Sequence, residues 1–197
     1  MVRTAFRQLL ESSDGFSVIG EASSGEEAYR KYLELNPDVV VLDLSLPGTS
    51  GLSTLHRLVS RDANANVIIL SMYDDPPIVA RALKLGAKGF VSKSAAYEEL
   101  KDAIATVCTG GRHIEKRLDT ETQQFRQSNN PANSLTTREF EVFTMLAEGK
   151  SVTEISDILH LSSKTVGAHR TSIMKKLALH NSAEIVRSAL QWDVIKL

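Results

Sequence analysis

The chain has 197 residues, 42% hydrophobic and 24% charged, with a net charge of −1, values that suit an ordinary globular protein of one or two domains. No apolar run approaches the roughly 20 residues that span a bilayer, and the first residues show no signal-peptide pattern. Cys108 is the only cysteine, which excludes an internal disulfide and a thiolate metal cluster. A cytoplasmic location is expected, and the balance of charge excludes a general polycation.

Val2, Phe6, Leu9 and Leu10 follow a helical period, so the chain opens in a helix with no capping residue before it. Residues 16–22 read as a short strand. Ser24-Gly-Glu-Glu27 has the spacing of a capping box and starts a helix to about Leu35. Residues 38–43 form an apolar run closed by Asp43; burial of both its faces implies a parallel sheet covered by helices. Loop residues 46–51 lead into a helix to about Arg61. Residues 67–71 are a further buried strand, and a helix over 76–85 stops at Gly86. Residues 88–92 are another strand, and a helix follows to about Thr109, with Cys108 expected in the core. This alternation predicts a doubly wound α/β domain over residues 1–110.

Asp43, Ser71 and Lys93 stand at the C-terminal ends of three predicted strands. Ligands of such sheets bind at that edge. A carboxylate, a hydroxyl and an ammonium together can accept, hydrogen-bond and neutralise a phosphoryl group. Singly, each residue is as well explained by a turn cap, a backbone bond or solvation; three successive strand ends favour the site.

Gly110-Gly111 predicts the end of this domain. Residues 111–134 are polar and read as a linker with a short helix around 114–125. From 135 onward three capping-box spacings, Thr136 to Glu139, Ser151 to Glu154 and Asn181 to Glu184, predict helices over 136–148, 151–159 and 181–191.

The stretch 162–177, SSKTVGAHRTSIMKKL, lies between the last two. Val166, His169, Ile173 and Leu177 share one helical face, and Lys164, Ala168, Thr171 and Lys175 the opposite one. The stretch carries Lys164, Arg170, Lys175 and Lys176 and no acid. Thr165 stands where the other boxes have Glu, so nothing at this N-terminus repels a phosphate. An ordinary surface helix would be amphipathic too; the short turn 160–162 after helix 151–159 makes the pair a helix-turn-helix that suits a DNA major groove. His169 belongs to the packing stripe.

VVVLDLSLPGTSG, VIILSMY and GAKGFVSKS make residues 1–109 resemble the receiver domain of bacterial response regulators. LTTREFEVFTMLAEGKSVTEISDILHLSSKTVGAHRTSIMKKL makes residues 135–197 resemble the LuxR-type DNA-binding domain, and the whole chain resembles a NarL/FixJ-class regulator. The resemblance implies Asp43 as phosphoacceptor, Ser71 as switch hydroxyl, Lys93 as phosphate-contacting lysine and Phe90 as an aromatic rotamer switch that turns inward. Mg²⁺ would be held by Asp43 and the backbone carbonyl of Ser45. Lys164, Thr165, Gly167, Ala168, Arg170 and Thr171 would lie nearest the bases, and Lys175 and Lys176 near phosphates. Several relatives carry lysine at the position of Gly167. Ile185, Ala189 and Trp192 on the last helix would form the contact of a homodimer. The implied partners are double-stranded DNA, a cognate sensor histidine kinase and a second copy, with no membrane.

Receivers begin with a strand that ends in a pair of Mg²⁺-holding acids. This sequence opens in the helix that follows, so the resemblance implies a shortened or degenerate receiver with weak Mg²⁺ binding. Strands 16–22 and 38–43 would then lack their shared neighbour. Two other readings follow: a phosphorylation-independent regulator whose receiver serves assembly, and a haloacid-dehalogenase-like phosphatase. The latter needs a second acid two residues after Asp43, where Ser45 stands.

Overall fold

Strands that are apolar on both faces must be covered on both, and this sheet is built that way. The computed structural model describes residues 2–13, 15–44, 50–72, 76–94, 97–127, 130–192 and 194–195. Strands β1 (Val40–Asp43), β2 (Val67–Ser71), β3 (Gly89–Ser92) and β4 (His113–Ile114) pair in parallel in that order. The twofold alternation of β2 divides the core. Val67 and Ile69 face one layer with Leu42, Leu55, Leu58 and Phe90. Ile68 and Leu70 face the other with Val91, Leu100 and Ile104.

Helices α1 (Val2–Glu11) and α5 (Tyr97–Cys108) cover the second layer, Phe6 and Leu10 of α1 reaching the cluster. Helices α2 (Gly25–Leu35), α3 (Gly51–Arg61), α4 (Pro76–Lys84) and α6 (Lys116–Gln127) cover the first. Cys108, expected in the core, is exposed on the last turn of α5; Val107 takes the inward position there.

Two expectations change. Residues 16–22 form no strand. Among the described residues the segment makes no ladder with another strand, and Ile19 is 53% exposed. Instead, Arg3 and Arg7 of α1 hold the segment through Glu21, at 2.8 and 2.7 Å. Among the described residues β1 pairs with β2 alone and is only partly buried, whereas β2 and β3 are buried throughout. At the other end, the first unit does not stop at Gly111. β4 extends the sheet beside β3, and α6 packs along α4, burying Leu118 completely.

The second unit is helical: α7 (Thr137–Ala147), α8 (Val152–Leu159), α9 (Ser163–Leu177) and α10 (Ser182–Gln191), preceded by a 3-10 turn at Pro131–Ser134. Phe140, Phe143, Ile155, Val166, Ile173 and Ile185 form its core. The capping boxes of α7 and α8 are complete. Those of α2 and α10 are not: Glu27 and Glu184 accept the backbone N–H of Ser23 and His180, one residue before the cap.

Candidate phosphoacceptor site and nucleic-acid interface

Parallel pairing brings the C-terminal ends of β1, β2 and β3 to one edge. Asp43 lies in register with Leu70, and Ser71 with Ser92. The backbone N–H of Lys93 donates to the Ser71 carbonyl at 2.7 Å, and the Lys93 ammonium forms an ion pair with the Asp43 carboxylate. Ser71 is completely buried beside them. Gly51 is required here, because a Cβ at its position would collide with the Asp43 carbonyl oxygen and Leu44. The start of α3 is thereby pressed against the end of β1.

The three strand-end residues therefore come together. Phe90 stands in the inward position: it is completely buried between β2 and β4, in the cluster that includes Leu118. Ser45, and Asp74 and Asp75 nearby in sequence, lie outside the described residues. Among the described residues no three His, Cys, Asp or Glu side chains gather as a metal site. Mg²⁺ requires several oxygen ligands; among the described residues the Asp43 carboxylate, paired with the Lys93 ammonium, does not by itself supply that set.

In the second unit, Ser162 caps α9 and accepts the Thr165 N–H at 3.1 Å. Val166, Ile173 and Leu177 are buried, and His169 is half-buried beside that stripe. Lys164, Thr165, Ala168, Thr171 and Lys175 are exposed, and open space surrounds Gly167. This face is exposed although the first unit is docked, because that unit meets α7. Arg170 donates to Ser182 on α10 at 3.2 Å.

Lys176 is differently placed. It pairs with Glu139 at 2.6 Å, and Ser172 donates to the same carboxylate at 2.6 Å. Burial alone would raise the Glu139 pKa, but these two donors and the Thr136 N–H outweigh it and hold the carboxyl at about 2. Lys176 thus ties α9 to α7.

The expected dimer residues need correction as well. Ile185 and Ala189 are buried inside their own domain, at 1% and 0% exposure. Trp192 packs near Phe143, ring centroids 6.2 Å apart, and its carbonyl accepts the Asn130 amide at 3.1 Å. The apolar stripe of α10 fills the helical core and leaves nothing of Ile185 or Ala189 for a second copy.

The joint between the units is a site that sequence reasoning missed. Arg81 of α4 donates to the carbonyls of Leu135 at 2.5 Å and Thr136 at 3.4 Å, and its guanidinium lies 4.3 Å from the Phe140 ring centroid. Burial lowers the Arg81 pKa to about 10. Ser50, the cap of α3, donates to the Glu141 carboxylate on α7. Burial raises the Glu141 pKa, opposed by Ser50 and Arg138. Neither residue carries a motif; a cap and a helix-surface arginine announce no distant partner.

A strand-end carboxylate–ammonium pair in one unit and a capped helix-turn-helix in the other define a DNA-binding response regulator. The family model for response regulator receiver domains matches residues 1–105, and that for bacterial regulatory proteins of the LuxR family matches 133–189. The oxygen regulatory protein NreC of Staphylococcus carnosus is 37% identical over 205 residues, covering 99% of this chain and 94% of that protein. A two-component response regulator of the LuxR family from Aurantimonas sp. is 35% identical with a TM-score of 0.60, covering 64% of this chain and 91% of that one. RcsB from Salmonella enterica serovar Typhimurium, bound to a promoter in the presence of the phosphomimetic BeF3−, is 26% identical with a TM-score of 0.68. That match covers 96% of this chain and 93% of that one. The chain belongs to the LuxR-type response regulators: a transcription regulator with a receiver domain and a helix-turn-helix DNA-binding domain.

Proposed function

We propose that phosphorylation of Asp43 controls DNA binding by α9. The observation that carries this reading is the Asp43–Lys93 pair at adjoining strand ends, with Ser71 buried between them in the sheet. A carboxylate oxygen of Asp43 attacks phosphorus and the P–N bond of a sensor kinase's phosphohistidine breaks. The added charge draws Lys93 from the carboxylate to the new phosphoryl oxygens. The Gly51 N–H donates to the Leu44 carbonyl at 3.2 Å, so a shift at the end of β1 reaches the neighbouring Ser50 and hence Glu141 on α7, and the signal arrives at the DNA-binding unit through its first helix. The described donor set supports no step through Mg²⁺.

On DNA, Lys164, Thr165, Gly167, Ala168, Arg170 and Thr171 would lie over the bases and Lys175 beside the phosphates. One helix-turn-helix reads few base pairs, so a homodimer on two half-sites is the working form. The outward face of α10, with Ala183, Arg187 and Gln191 exposed, is the surface a second copy would meet. The cytoplasm, where DNA and kinase are both reached, is the proposed location.

Treating the full chain and Asp43→Asn with acetyl phosphate, then measuring promoter binding by fluorescence anisotropy, tests this. Wild-type affinity should change and the variant's should not. Equal responses would favour the second reading, a receiver used for assembly alone, which the Asp43–Lys93 ion pair also suits.

A further inference from the structure

A cleft of about 770 Å³ opens where α4, β4 and α6 of the receiver meet the 3-10 turn and α7 of the DNA-binding domain. Its size falls in the range of small-molecule sites, and junctions between domains are where such sites concentrate. Its walls carry three cations, Arg81, Lys84 and Arg112, against one acid, Asp119. Arg81 is engaged by carbonyls and the Phe140 ring. Among the described residues none of the three cations stands in an ion pair. Lys84 and Arg112 are exposed at the rim. Leu83, Ile114, Phe125 and Phe140 supply the large apolar side chains of a lining that is otherwise in good part polar.

Apolar side chains on one wall and cations at the rim select for a molecule that is apolar at one end and anionic at the other. We propose that this cleft binds a small soluble organic anion, an aromatic or short aliphatic body bearing one carboxylate or sulfonate. The apolar body rests against Ile114, Phe125 and Phe140, and the anionic group meets Lys84 and Arg112. Such a ligand touches both domains at once and therefore stabilises their docked arrangement, giving the regulator a chemical input separate from Asp43. Inorganic phosphate satisfies the cations and leaves the apolar lining unused, so it should bind more weakly.

The probe is 8-anilinonaphthalene-1-sulfonate, titrated into the full chain and followed by fluorescence and calorimetry. Saturable binding near one equivalent is expected, weakening as salt rises. Lys84→Glu combined with Arg112→Glu should weaken it about tenfold or more, since two rim contacts become repulsions, with circular dichroism and melting unchanged. Neutral Lys84→Gln with Arg112→Gln should give a smaller loss. Ile19→Glu, in the separate groove beside β1, should leave binding intact. Binding that ignores both rim pairs, or that is lost in Ile19→Glu, overturns the proposal, as does phosphate binding more tightly than the aromatic sulfonate. Asp43→Asn should bind the probe normally, so failure here is distinguishable from failure of the phosphorylation reading.

Discussion

Glu139 and Lys176 lie 2.6 Å apart, the carboxylate almost fully buried and the ammonium partly exposed. One residue of the basic cluster on α9 is thereby a cross-brace between helices. Lys175→Ala should lower the salt slope of DNA binding by about 1, as for loss of one phosphate contact. Lys176→Ala should change the slope less and instead destabilise the DNA-binding domain by roughly 1.5–3 kcal/mol, the range for hydrogen bonds to charged groups. Urea unfolding and anisotropy titrations at several salt concentrations separate the two effects; equal slopes for both variants would restore Lys176 to the phosphate contacts.

The same pair sets an acid dependence. Glu139 has a folded pKa of about 2, below its ordinary 4.5. Its contribution to stability is therefore complete above about 4.5 and fades as pH falls toward 2. Glu141 has the opposite sign. Its pKa is raised by burial, so the folded, docked form holds its proton more tightly and docking gains as pH falls. Acid titration should strengthen the contact between domains before the DNA-binding domain itself weakens. Small-angle scattering and tryptophan fluorescence of Trp192, run along the same titration, check the order; expansion preceding loss of the Trp192 signal contradicts it.

Arg81 is the principal cation of the joint. Arg81→Ala removes two donations to carbonyls and the stacking on Phe140, a loss on the order of 2 kcal/mol from the docked state. Scattering should show a larger radius of gyration, and calorimetry should resolve two transitions in place of a coupled one. A compact variant melting as the wild type does would mean that Ser50, Glu141 and the apolar contacts of Ile78 suffice.

Gly167 can be tested in both directions. A Cβ there meets open space, and glycine inside a helix costs up to about 1 kcal/mol against alanine. Gly167→Ala should raise thermal stability by up to that amount. Gly167→Lys should alter which sequences bind, because it adds a long cationic side chain on the groove face. Selection from a randomised duplex pool reads this directly; an unchanged consensus would move Gly167 off the base-contacting face.

The periodicities were enough for most of this architecture. The 3.6-residue stripes of α7 to α10 and the doubly apolar runs of β2 and β3 each admit one kind of burial, and the strand-end residues Asp43, Ser71 and Lys93 follow from parallel pairing. Residues 16–22 show where local pattern is insufficient. Their alternation is that of a strand, but a strand exists only through its neighbours. β4 failed in the other direction, two residues being too short a run to show a period. Ile185 and Ala189 read as partner contacts in the sequence, because a helical stripe does not reveal whether it faces its own core or another chain. Lys176 and Arg81 were illegible for a similar reason: their partners are distant in sequence.

The last prediction concerns the outer edge of β1. Among the described residues β1 is bonded to β2 alone. Beside it a groove of about 510 Å³, lined by α1, residues 15–22 and α2, runs along Val39–Asp43 up to Lys93. Unpaired strand edges bordered by apolar surface invite another chain, and Ile19, Leu33 and Leu35 are exposed nearby. The chain as written should therefore self-associate at micromolar concentrations through this edge. Val41→Lys, placing a charge on the strand, should favour the monomer. The same setting bears on Asp43, whose charge Lys93 already balances. Modification by acetyl phosphate should be slow and little affected by Mg²⁺, because the ion has little uncompensated charge to neutralise. Sedimentation velocity of both chains, and mass spectrometry of Asp43 across a Mg²⁺ series, are the measurements. A wild-type monomer that is modified rapidly and only with Mg²⁺ would sink both halves, and would place the metal's ligands among residues such as Asp74 and Asp75.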